Sequence, residues 1–212
     1  METLIFLFSF IILILSIIIH EVAHGSVAYS LGDSTAKNQG RLSLNPISHI
    51  DPIGTIFLPL MLSIIPGNSV IIGWAKPVPV NFNNIRDKRW GALKVSLAGP
   101  IANFTIALIF SLVIRFMPTI EPEMYAIFQL VVLYNLILAI FNLIPIPPLD
   151  GSHILFDLLP QGNYLENLKN FLFRYGFLIL VFFIFISPGI NWIYDLANTI
   201  FNTLSGQMFV SI

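Results

Sequence analysis

Long apolar runs alternate with short polar stretches along the whole chain, and this texture sets the first expectation. From 4 to 31 the chain is almost continuously apolar, with no proline and no glycine before Gly25. That predicts one helix longer than the about 20 residues needed to cross hydrocarbon, stopped by Gly32 and Asp33. The pattern is then polar to Asp51, apolar but short and interrupted by Pro59 over 53–65, and β-branched with Pro77 and Pro79 over 69–80. The short apolar piece suits a re-entrant or interfacial segment. The β-branched piece reads as extended chain on a sheet edge, where proline is tolerated. Further spans are expected at 90–117, at 124–144 up to the prolines of PIPPLDG, and at 171–186 after an amphipathic linker over 157–170; an interfacial helix is expected from 191. The fold class is thus an all-α polytopic membrane protein, with about four transmembrane helices and a re-entrant helix or β-like segment between the first two.

Composition agrees with this reading. Hydrophobic residues make up 56% of the 212 and charged residues 10%, against about a quarter charged in an average soluble domain. No polar block separates the spans, so one membrane-embedded domain over 1–212 is expected. Lys37, Arg41, Lys76, Arg86, Lys88, Arg89 and Lys94 all lie between the first and second spans. The positive-inside rule places that region in the cytoplasm of a multi-pass cell-membrane protein, and Glu121 and Glu123 fit the opposite side, with Arg115 as the exception. Basic residues this few, all flanking spans, argue against nucleic acid as a partner; the partner is the bilayer, and no pattern specifies an oligomer. The first apolar run has no basic leader or small-residue cleavage site, so it is expected to be a retained span. Trp74, Trp90 and Trp192 fall at span edges and read as interfacial anchors.

The absence of cysteine excludes thiolate ligands, so any metal must be held by His, Asp or Glu. Within the first span stands HEVAH, His20 to His24. Residues four apart on a helix share a face one turn from each other, so both imidazoles can reach one ion. Glu21 points in a neighbouring direction, as in helices where two histidines bind Zn²⁺ and the adjacent carboxylate takes a proton from water. A third protein ligand is needed, and the candidates are Asp51, His49, Asp150, His153 and Asp157. Asp150 stands out, because it ends an apolar span near membrane depth, where a cation is the natural partner of a carboxylate. If 53–80 dips in and returns, two spans separate HEVAH from Asp150 and both face the basic, cytoplasmic side; a full crossing would put them on opposite sides.

HEVAH in the first span, AGPIAN opening the second and FNLIPIPPLDG closing the third resemble the site-2 protease family of intramembrane zinc metalloproteases. With GRLSLNPISHIDPIGT and GWAKPVPVN between them and no PDZ-like insert, the chain is similar to the compact prokaryotic members. The resemblance implies one Zn²⁺ on His20, His24 and Asp150, Glu21 as general base, and Asn142 holding substrate or stabilising the oxyanion. It implies a supporting role in the core for Asn103, for which interhelical hydrogen bonding is the favoured reading. It also implies that 71–80, with Pro77, Val78, Pro79 and Val80, presents an edge to a transmembrane substrate, which must unwind to expose its peptide bond. His49 and His153 receive no ligand role. The expected function is hydrolysis of a peptide bond in or near a transmembrane segment of a protein or peptide substrate, with 1–152 as catalytic core and 153–212 as linker and last span. Its rivals are an ion transporter using the histidines as a relay, and a non-cleaving protease homologue.

Overall fold

The computed structural model describes residues 2–57, 61, 76–117, 119–160, 162–185 and 189–206. Helix α1 spans Glu2–Ser30 and the single turn α2 spans Thr35–Asn38. A 3₁₀ turn at Pro46–His49 and a π-helical turn at Pro52–Phe57 follow, and a second 3₁₀ turn lies at Phe82–Asn84. Then come α3, Gly91–Phe116, α4, Pro122–Asn142, the short α5, Asp150–Leu158, α6, Asn163–Phe185, and α7, Gly189–Ser205. Among the described residues, four helical stretches are long and apolar enough to cross a membrane: Phe8–Ser30, Gly91–Phe116, Pro122–Asn142 and Asn163–Ile184.

Two expectations are corrected. The linker anticipated over 157–170 is helical from Asn163, so α6 begins about two turns before its apolar stretch; NYLENLKN contains no helix breaker, and a polar first turn extends a span at little cost. Among the described residues there is no strand: 76–80 is extended but joins no sheet. Most of the anticipated re-entrant segment, 58–60 and 62–75, with Trp74, lies outside the described residues.

The bundle has the distribution that lipid requires. Phe8, Ile11, Ile101, Ile109, Phe177 and Phe182 face outward, while Ala107, Ile114, Val132, Leu133, Leu136, Ala197 and Phe201 form a core between α3, α4 and α7. Small residues at that core let helices approach closely, as membrane packing favours. In α7 the residues Ile193, Ala197 and Phe201 recur at every fourth position and are buried, so the helix expected at the interface lays its apolar stripe on the bundle. A second, polar seam joins α1, α3 and α4 through buried Ser16, His20, His24, Asn103 and Asn135.

The chain leaves α1 and enters α3 at the same end of the bundle. Helix α1 closes with Gly32 at φ +114°, whose N–H and that of Asp33 bond back to the Tyr29 and Ala28 carbonyls; only glycine takes this left-handed cap easily. Asp33 is fully buried. Its Oδ1 accepts from the N–H and hydroxyl of Thr35 and the amide of Asn84, and its Oδ2 accepts from the Asn81 N–H at 2.7 Å. The Arg86 N–H donates to the Leu31 carbonyl at 2.9 Å. Asp33 thus ties both ends of the 33–84 excursion together.

Burial alone would raise the Asp33 pKa, but the bonds from Thr35, Asn81 and Asn84 outweigh it and hold the carboxyl below its ordinary 3.8. A carboxyl lowered by folding adds stability that is complete above that ordinary value and disappears as pH falls through the lower folded value. Asp33→Ala should therefore lower thermal stability in detergent by about 1–3 kcal/mol near neutrality, since it removes the buried acceptor of four hydrogen bonds. The difference between the two proteins should shrink below about pH 4; a difference independent of pH would assign the effect to packing.

Candidate metal centre

The pitch of α1 places Ser16, His20 and His24 in one row, and all three are buried. Opposite them runs α3, and Gly99 is the residue that lets it pass. A Cβ there would fall 2.4 Å from His24 Nε2 and 2.6 Å from His20 Nε2. One residue on, Pro100 removes the N–H that would bond the Ser96 carbonyl and loosens this turn of α3. The third element arrives by a break in helix: α4 ends at Asn142, and the Ile144 to Leu149 turns carry the chain to Asp150, the first residue of α5. Gly151 makes this possible, because a Cβ there would meet the Leu143 carbonyl at 2.2 Å.

Three donor atoms converge at that junction. His20 Nε2 and His24 Nε2 lie 3.0 Å apart, and Asp150 Oδ2 lies 3.1 and 3.2 Å from them. The other ring nitrogens determine what these atoms are. His24 Nδ1 lies 2.7 Å from the Val95 carbonyl, which can only accept, so Nδ1 carries the proton. His20 Nδ1 lies 2.6 Å from Asn103 Oδ1. Asn103 is oriented in turn, since its Nδ2 donates to the Ser16 carbonyl and to Asn135 Oδ1. Asn135 Nδ2 donates to Ser16 Oγ and to the Val131 carbonyl. Both Nε2 atoms of the neutral rings therefore present lone pairs to each other and to a carboxylate. Three electron-rich atoms hold such a cluster when a cation lies among them. Their separations approach those of tetrahedral ligands about 2.0–2.2 Å from one zinc, and His-His-Asp is a donor set that zinc accepts.

Glu21 is not one of the three converging donors. It is half-buried, and its Oε2 accepts from the backbone N–H of Val78 at 2.7 Å. Of the predicted substrate segment, Val78 is buried, Pro77 is exposed, and Pro79 and Val80 are intermediate. Asn142 is half-buried and donates to the Leu138 carbonyl in its own helix, without a bond to the three donors. The remaining ligand candidates are elsewhere. His49 is buried with its Nε2 on the Ser43 carbonyl, Asp51 caps the turn at Ile53 and Gly54, and His153 stacks beside Phe82. Burial holds the Asp157 carboxyl above the usual range, against the opposing fields of His153 and Lys169. Among the described residues the metal-capable group is His20, His24 and Asp150.

Sequence reasoning missed Asn135 and the Val95 carbonyl. Asn135 is an isolated amide in an apolar span, a signal that was available; a backbone carbonyl leaves no signature in sequence.

Fold and site together define a helical membrane protein with a His-His-Asp group that could hold a metal ion. The chain belongs to peptidase family M50, the site-2 protease family, and is a zinc metalloprotease. The family model for Peptidase family M50 matches residues 117–183, which include Asp150. YwhC of Bacillus subtilis, named as a candidate zinc metalloprotease, is 40% identical over 186 residues, covering 84% of this chain and 80% of the relative. Rip2 of Mycolicibacterium smegmatis, named likewise, is 30% identical over 193 residues, covering 89% and 71%. Zinc metalloprotease MJ0392 of Methanocaldococcus jannaschii is 29% identical over 161 residues, covering 76% of this chain and 37% of that protein. No solved structure matches the chain significantly.

Gly99→Ala should leave α3 helical, since alanine favours helix over glycine by about 1 kcal/mol, yet abolish metal uptake measured by elemental analysis of the purified protein. Asn103→Leu should weaken metal affinity about 10–100-fold in chelator competition. Affinity unchanged in Asn103→Leu would take Asn103 out of the site.

Proposed function

We propose that this metalloprotease hydrolyses a peptide bond in or beside a transmembrane segment of its substrate, with one zinc per chain. The whole of 1–212 acts as one membrane-embedded domain, with 1–152 as its catalytic core. The observation that carries this reading is the meeting of His20 Nε2, His24 Nε2 and Asp150 Oδ2 within 3.0–3.2 Å, with the Glu21 carboxylate beside them on the same helix. When bound, zinc supplies Lewis acidity that polarises the scissile carbonyl and acidifies a water molecule.

The chain's own residues do the rest. His20, His24 and Asp150 hold the metal, and Asn103 and the Val95 carbonyl keep the two Nε2 atoms unprotonated toward it. Glu21 takes a proton from water and returns it to the leaving amine. Asn142 turns its amide from the Leu138 carbonyl toward substrate and supports the developing oxyanion. Pro77, Val78, Pro79 and Val80 form the lip along which substrate lies. The carbonyls of Val78, Pro79 and Val80 take no hydrogen bond among the described residues, so an unwound substrate can donate its N–H groups to them in a setting poor in water. The basic residues between the first two spans support the cytoplasmic side of the cell membrane for this end of the bundle.

A test follows from the separate duties. Zinc content should be lost in His20→Ala and Asp150→Ala and kept in Glu21→Gln, while all three variants stop cleavage. Comparative proteomics of membrane fractions from cells carrying active protein or Glu21→Gln should reveal products that differ. An ion relay predicts no such products and no need for Asp150 to hold zinc.

A further inference from the structure

The motif GRLSLNPISHIDP plays no part in metal binding, yet it contains the most unusual buried group in the protein. Arg41 is 6% exposed, and among the described residues no carboxylate pairs with it. Its guanidinium donates instead to backbone carbonyls: one arm to Ser48, the other to Lys76 at 2.5 Å and Pro77 at 3.1 Å. A buried cation is costly unless its hydrogen bonds are made. A planar fork can bridge several fixed acceptors where an ammonium would act as a point charge. Arg41 is aimed inward by its own turn. Gly40, at φ +65°, closes α2, with the Gly40 N–H on the Lys37 carbonyl and the Arg41 N–H on the Ala36 carbonyl.

The segment that Arg41 grips at Lys76 and Pro77 leads directly to Glu21. The Lys76 N–H donates to the His49 carbonyl at 2.9 Å, and the His49 ring closes the loop on the Ser43 carbonyl at 2.7 Å. Two residues on, the Val78 N–H reaches Glu21 Oε2 at 2.7 Å. Val78 is seated where Gly25 leaves room, since a Cβ at Gly25 would meet Val78 Cγ1 at 2.7 Å and Leu42 Cδ2 at 2.6 Å. Pro77 and Pro79 have no N–H, so the segment has few donors of its own with which to dock; the clamp on its carbonyls substitutes for a ladder.

We propose that Arg41 is a positioning residue for peptide binding: it holds Lys76–Val80 against Glu21 and thereby sets the gap between that lip and the metal ligands. The proposal rests on the metalloprotease reading of the site, and it concerns the peptide, not the metal. Loss of the clamp lets the lip drift, so groups that span lip and metal bind less well while groups that touch only the metal are unaffected.

The test uses the full, zinc-loaded chain in detergent with two probes: a dipeptidyl hydroxamate with apolar side chains, and acetohydroxamate. In Arg41→Ala the backbone amides of 76–81 should exchange with deuterium about tenfold faster or more, and the dipeptidyl hydroxamate should weaken about tenfold or more, as expected for lost charge-assisted hydrogen bonds. Acetohydroxamate binding should stay within about twofold of wild type. Arg41→Lys, which keeps the charge and loses the fork, should fall between wild type and Arg41→Ala, and it carries the same comparison if Arg41→Ala does not fold. Unchanged exchange at 76–81, an unchanged dipeptidyl probe, or equal weakening of both probes would each overturn the proposal. If wild type bound neither hydroxamate, the metalloprotease reading would be at fault, and the exchange rates alone would decide whether Arg41 anchors the segment.

Discussion

Three lone-pair atoms that face one another inside an apolar bundle are the constraint on which this structure turns. His20 Nε2, His24 Nε2 and Asp150 Oδ2 stand 3.0–3.2 Å apart, and with both Nδ1 atoms engaged elsewhere a metal ion among them would make that geometry favourable. In a medium of low dielectric the repulsion among the donors and their attraction to an ion are both larger than in water. Lipid supplies no hydrophobic force to press helices together. On the proposed ligand set, the junction of α1, α3 and α5 would be stabilised by the ion that fills it, and metal binding would be in part assembly of the bundle.

The surroundings of that junction look arranged around charge. His20 is oriented by an asparagine and not by an aspartate, and the relay through Asn103, Asn135 and Ser16 is neutral throughout. With a divalent ion bound, one ligand carboxylate leaves net positive charge at the centre, available to polarise a carbonyl. A second carboxylate behind His20 would cancel it and would add a charge in the span, where charges are most costly. An amide network orients the ring just as firmly without that loss.

What sequence could disclose follows the range of each interaction. HEVAH and Asp150 were legible because ionisable groups in apolar helices have few explanations, and their spacing is local geometry. The four spans were legible from length alone. Asn103 was visible as a polar residue in α3, but its contact with His20 depends on the register of α1 against α3, which no local pattern encodes. Arg41 was misread as one more positive flank, because a cation clamped on carbonyls has the same letter as one in solvent. The packing of α7 was missed for a related reason: its stripe of Ile193, Ala197 and Phe201 would suit a lipid surface or a bundle equally well.

One step along α1 separates a ligand from the proposed base, and that step decides how the site divides its work. A rotation of about 100° carries Glu21 out of the direction of His20, toward 76–80, while the ligands face α3 and α5. The proposed metal ligands thereby belong to the transmembrane core, whereas the carboxylate is held by a non-helical segment whose own anchors are a buried arginine and a histidine loop. A peptide bond can be cut only where these two systems are in register. The core fixes its part through helix pitch and glycine contacts, which have no adjustable member. The lip is fixed by the Arg41 hydrogen bonds to the Ser48, Lys76 and Pro77 carbonyls, which leave the carbonyls of 78–80 for an incoming backbone. On the proposed reading, the part of the site that would meet substrate is thus held by hydrogen bonds, and the part that would hold the metal is built from steric contacts.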